Sequence, residues 1–151
     1  MSFWNTIFYV LLMCLAGMGI PIMATLNSSL GIKFESPALA TTILFAVGVM
    51  ASSGYLFISG SMPTSPFQQP IPIIFYCGGL FVVFYILSIT RVAPKFGIGN
   101  TISIVLLGQL ISMTIIDHYG LLGAPQNSIS IQRIGGLFFM IVGVYLTVRR
   151  F

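Results

Sequence analysis

The sequence predicts an all-α membrane protein of five transmembrane helices, and two observations carry that prediction. Of 151 residues, 57% are hydrophobic and 5% are charged, against about 25% charged in a soluble domain. Six Lys and Arg and two acidic residues cannot coat a water-facing surface, which excludes a soluble enzyme. The cations form neither stripe nor patch, so no nucleic-acid partner is expected. The second observation is that the few charges punctuate five uncharged stretches, each close to the ~20 helical residues that cross a bilayer core of about 30 Å. Barrel strands alternate over about ten residues. These stretches do not, and the helix is the other way to satisfy every backbone group in lipid.

The first span covers residues 3–30 and carries no charge. It lacks the positive start of a secretory signal and is longer than a signal's apolar region, so it is expected to be retained. Lys33 and Glu35 mark the first turn, and the second span, 38–59, follows Pro37. Gly60 and the run containing Pro63, Pro66, Pro70 and Pro72 cannot continue a helix. The third span is 71–89, Ala93-Pro94-Lys95 is the third loop, and the fourth span is 96–116. Tyr119, Gly120, Gly123, Pro125 and Asn127 form the fourth loop, before the fifth span at 131–148. Connections this short predict one transmembrane domain over residues 1–151, without an internal repeat.

Counting Lys and Arg in alternate loops sets the direction. Lys33, Arg91, Lys95, Arg149 and Arg150 fall on one side and Arg133 alone on the other, five against one. The N-terminus is therefore expected outside and the C-terminus in the cytoplasm. Cys14 and Cys77 lie inside spans with no His or acidic neighbour, so they read as packing residues. No metal, cofactor or enzymatic activity is expected.

Polar side chains inside a bilayer usually face protein or water, which makes them the pointers to function. In the first span Pro21 removes a backbone donor and frees the Gly17 carbonyl, so a kink is expected around Gly17, Gly19 and Pro21. Ala16, Ile20, Met23, Ala24, Asn27 and Gly31 share one face at about 100° per residue. Asn27 either contacts substrate or bonds across to a neighbouring helix. In the fourth span Gly108-Gln109 lies deep, with Ser112 about one turn on. Gln109 suits a cavity that binds polar groups without a fixed ion, and the alternative is an interhelical hydrogen bond of about 1 kcal/mol. The only Asp and the only His are adjacent, Asp117-His118, at the end of this span. They diverge on a helix by about 100° and cannot work as a bonded acid–base pair. Asp117 either pairs with Arg133 at the outer rim or, with His118, serves as a proton site. On the fifth span Gly136, Gly143 and Thr147 align along one face and predict helix packing, with a subunit interface as one form of it.

Taken in order, Gly19-Ile20-Pro21 with Asn27, Leu30 and Gly31; Pro37-Ala38; Ala93 to Gly99; Gly108-Gln109; Asp117-His118-Tyr119-Gly120; and Arg133 to Gly136 resemble the YdcZ family of the drug/metabolite transporter superfamily. These are five-span proteins of the bacterial inner membrane. The resemblance implies that the chain is one half of a transporter built from two inverted five-span repeats. Small multidrug exporters of that superfamily carry an embedded Glu in the first helix. No acid occurs in this first span, so proton-coupled export of organic cations by that route is not expected. Five helices are few to enclose a path, and sites in such architectures lie between inverted repeats. A dimer is therefore expected, either a homodimer or a heterodimer with an oppositely oriented paralogue. The leading reading is a half-size transporter or exporter subunit for a small solute, with Asn27, Gln109 and Ser112 along the pathway. The alternative is a non-transporting protein that assembles with or regulates a larger membrane complex.

Overall fold

The structure, a computed structural model, describes residues 3–60 and 71–148. Its helices are α1 (Phe3–Lys33), α2 (Pro37–Ser59), α3 (Gly78–Phe96), α4 (Ile98–Tyr119) and α5 (Ile131–Val148). A tighter 3-10 turn, Ile73–Cys77, leads into α3, and another, Leu121–Gly123, follows α4. Five segments are long and apolar enough to cross a membrane, the third being Ile73–Phe96. No strand occurs among the described residues. Apolar side chains point outward along these helices, with Ile58 89% and Trp4 77% exposed, as lipid-facing surfaces require.

Helix ends differ from the sequence expectation in a consistent way. The first helix runs on to Lys33, and the fourth to Tyr119, which places Asp117 and His118 in its last turn. Ala93-Pro94-Lys95 is not a loop but the last part of α3. A proline withholds only one amide and disturbs only the carbonyl four residues back, and Pro94 stands two residues from the helix end. Arg91 and Lys95 do not require a break either, because long cationic side chains reach the interface from within a helix. The break falls at Gly97, whose φ of 89° only glycine adopts easily. Pro21 likewise lies inside a continuous α1. The proline-rich run from residue 61 to 70, and Arg149 and Arg150, lie outside the described residues.

Two compact units divide the chain, Met1–Lys95 and Phe96–Phe151. In the first, the chain reverses tightly between α1 and α2. Ser36 donates its amide to the Gly31 carbonyl (3.0 Å), and its hydroxyl accepts from the Leu39 amide (3.2 Å) as an N-cap. Pro37 follows at the first helical position, where its missing donor costs nothing. The core sits at this end. Ala24, Asn27 and Ser28 of α1, Ala40 and Thr41 of α2, and Ile86, Ile89, Thr90 and Ala93 of α3 are all buried.

The second unit is an antiparallel pair. Thr101 returns both its amide and its hydroxyl to the Gly97 carbonyl at the start of α4 (3.1 and 2.8 Å). Gly120, at φ 60°, ends α4 and donates to the Ile116 carbonyl. Ser130 then caps α5, its hydroxyl accepting from the Arg133 amide at 3.2 Å. Most span hydroxyls with a bond in either unit donate to their own helix, as Thr25, Thr42, Thr114 and Thr147 do. That local bond removes the cost of an OH in lipid.

Candidate functional site

The first unit gathers polar groups into its core. Asn27 is 4% exposed, and its Nδ2 donates to Thr90 Oγ1 across 2.6 Å. Thr90 in turn donates to the Ile86 carbonyl at 2.8 Å. The bond ties α1 to α3 close to the α1–α2 reversal, where Gly31 lets the two helices meet. A Cβ on Gly31 would stand 2.9 Å from Thr90 Cγ2. Ser28, next to Asn27 in sequence, and Thr41 of α2 are also buried, and neither hydroxyl has a partner among the described residues. Thr90 was not singled out by the sequence, which ended the third span at residue 89. Its available signal was a hydroxyl next to Arg91, at the polar boundary of an apolar helix.

The second unit places its two amide and hydroxyl candidates differently. Gln109 and Ser112 are exposed, and neither side chain makes a hydrogen bond among the described residues. The two α4–α5 clefts are lined by Ser103, Ile104, Leu106 and Leu107 of α4. Gln109 and Ser112 line neither cleft; Gln109 stands about 60° from Leu106 and Ser112 about 80° from Ile104 round the helix, at 100° per residue. Gln109 is also near mid-helix, about 16 Å from either end of α4 at 1.5 Å per residue. Asn27 and Gln109 therefore occupy different settings, one committed to a packing bond and one uncommitted.

At the loop end of this unit, Arg133 Nη2 donates to Asp117 Oδ2 across 2.6 Å, with the two side chains 30% and 24% exposed. It is the one ion pair among the described residues. The pair joins the last turn of α4 to the first turn of α5. His118 points elsewhere: its Nδ1 accepts from the Ile129 amide at 3.4 Å, and its ring meets Tyr119 edge to face at 4.8 Å. The Asp117 and His118 carbonyls accept from the Asn127 amide and Gln126 Nε2. Asp117 and His118 thus both fasten the connection, through different atoms.

Gly136 and Gly143 have nothing within 4 Å of an added Cβ among the described residues. The less exposed face of α5 is formed by Arg133, Leu137, Met140, Val144 and Val148 instead. The glycine stripe lies about 80° from that face by helical geometry, and its Gly143 and Thr147 border an open α4–α5 cleft with Ser103 and Leu106. Gly17 and Gly19 are equally open. Among the described residues no group of three or more His, Cys, Asp or Glu is arranged to hold a metal.

Searches of curated proteins and of solved structures returned no match. The family model described as "Putative inner membrane exporter, YdcZ" matches residues 8–146. That stretch takes in the second, third and fourth membrane-length helices whole and most of the first and fifth, with the Asn27–Thr90 bond and the Asp117–Arg133 pair. The chain is a multi-pass inner-membrane protein and belongs to the YdcZ family.

Proposed function

We propose that the chain is a half-size exporter subunit of the drug/metabolite type, moving a small solute as part of a dimer. The observation that carries this reading is Gln109 with Ser112, exposed near the middle of α4, outside the α4–α5 clefts and without hydrogen-bond partners among the described residues. An amide left facing hydrocarbon at that depth loses its bonds to water without replacement. A polar pathway, completed by a second five-span half, removes that cost and gives the residue a purpose. The dimer is a homodimer or a pair with an oppositely oriented paralogue. Asn27 contributes by fixing the α1–α3 joint within the first unit. The five-to-one charge bias orients the N-terminus outside and the C-terminus in the cytoplasm.

Proteoliposomes containing the chain, alone or with a coexpressed paralogue, test this with a panel of labelled amino acids, sugars, carboxylates and aromatic amines. At least one probe should show protein-dependent flux that Gln109→Leu lowers at least tenfold with helicity unchanged. Folded protein that moves none of them, or flux indifferent to Gln109→Leu, would overturn the proposal. The uncovered Gly136 and Gly143 stripe favours a second reading, assembly with or regulation of a larger membrane complex. Absence of flux together with stable copurification of that complex would select it.

A further inference from the structure

Two adjoining clefts mark the end of the first unit where α1 turns into α2. The first, of about 310 Å³, is lined by Gly31, Pro37, Thr90, Arg91, Pro94 and Lys95 among others. The second, of about 380 Å³, runs past Ala38, Phe84, Leu87 and Ser88 and shares Pro37 and Arg91 with the first. Arg91 is therefore the point where the clefts join. Arg91 and Lys95 are one helical turn apart and exposed, and neither has an acidic partner among the described residues. Asp117 is taken by Arg133, and Glu35, the other acid, forms no ion pair among them.

The sequence of α3 gives the combined cleft a direction. Phe84, Leu87, Ser88, Arg91 and Lys95 recur at three- and four-residue steps, so they share one face of the helix. Phe84 stands about 10 Å before Arg91 along the axis, at 1.5 Å per residue. The face is thus apolar through the span and cationic where the span ends. Arg presents a planar fork that takes two phosphate oxygens at once, and Lys adds a point charge beside it. Basic pockets at the ends of membrane helices are suited to anionic headgroups.

We propose that this face binds one anionic glycerophospholipid, its phosphate held by Arg91 and Lys95 and an acyl chain lying along Ala38, Phe84 and Leu87. The fit comes from the cleft's polarity, cationic at one end and apolar along the other. A free phosphate would use only the cationic end and leave the second cleft without an occupant. The site is independent of whether the chain transports a solute.

Native mass spectrometry of the full chain in detergent, with phosphatidylglycerol added at equal concentration, tests the site. One retained lipid is expected, and Arg91→Gln with Lys95→Gln should lower the bound fraction at least tenfold. Arg149→Gln with Arg150→Gln, which removes as much charge elsewhere, should leave it unchanged. Ala38→Phe keeps both cations and obstructs the apolar cleft, so it should also release the lipid, which covers the case in which the double charge variant fails to fold. Equal retention of phosphatidylcholine with the same acyl chains, or unchanged binding in Ala38→Phe, overturns the proposal. So does displacement of the lipid by inorganic phosphate at equal concentration, which would identify a site for a soluble anion.

Discussion

Gly31→Ala is the most discriminating perturbation of the first unit. The added methyl would lie 2.9 Å from Thr90 Cγ2, with Pro37 Cα at 3.5 Å and Ala40 Cβ at 3.7 Å on its other contacts. Ordinary contact begins near 3.5 Å, so Thr90 must move by roughly half an ångström or α1 must shift toward α2. Thr90 is poorly able to turn away, since χ1 rotation in a β-branched residue carries the hydroxyl with the methyl. That hydroxyl is held by Asn27 at 2.6 Å and by the Ile86 carbonyl at 2.8 Å. Overpacking of this kind costs about 1–3 kcal/mol, and the helix-propensity gain of Gly→Ala offsets at most about 1 kcal/mol. Gly17→Ala and Gly19→Ala, with open space before them, serve as controls that receive the gain without the clash. Reversible unfolding in mixed micelles, followed by circular dichroism, should place Gly31→Ala about 1–3 kcal/mol below the controls. Thr90→Ser removes Cγ2 and keeps the hydroxyl, so the double variant should recover at least about 1 kcal/mol of the loss. A Gly31→Ala protein as stable as the controls, or no recovery with Thr90→Ser, would refute the packing argument.

Four further outcomes are expected. Asn27→Leu and Thr90→Val should each cost about 1 kcal/mol in the same assay, with a double-mutant coupling of similar size, as interhelical hydrogen bonds in membranes do. Arg133→Leu should lower the thermal midpoint by leaving Asp117 unpaired, at about 1–2 kcal/mol for a charged hydrogen bond that water partly reaches. Exchanging the two, Asp117→Arg with Arg133→Asp, should restore expression lost in either single change, and no restoration counts against the pair as a brace. A green fluorescent protein fused after Phe151 should fluoresce, whereas alkaline phosphatase at the same place should be inactive; the opposite pattern would reverse the assigned orientation.

Much of the fold is legible in the sequence because a bilayer leaves few options. Charge-free runs of sufficient length are helices, and the positions of Lys33, Pro37, Gly60 and Gly120 mark where they turn. The tertiary structure extended α1 to Lys33 and α4 to Tyr119 by about one turn, and made its main correction near residues 89–97, where Arg91, Pro94 and Lys95 look like a loop from hydropathy. Snorkelling cations and a proline close to a helix end are compatible with a continued helix, so the local signal misleads by several residues.

Which polar group serves which purpose was decided by packing alone. Asn27 and Gln109 are chemically alike and both lie in apolar helices, yet one is closed into a core by Thr90 and the other is uncommitted. The partner of Asn27 is 63 residues away, a distance at which no periodicity carries information. The glycine stripe of α5 shows the same division. Its alignment follows from the helical period, but that Gly143 borders an open cleft with Ser103 and Leu106, with nothing within 4 Å of an added Cβ, depends on how Leu137, Met140 and Val144 seat in the unit. Composition and charge spacing fixed the solvent, the number of crossings and their expected direction, because those depend on summed transfer energies along the chain. Contacts between distant segments fixed the roles of individual side chains, because a hydrogen bond or a clash depends on atoms a few ångströms apart.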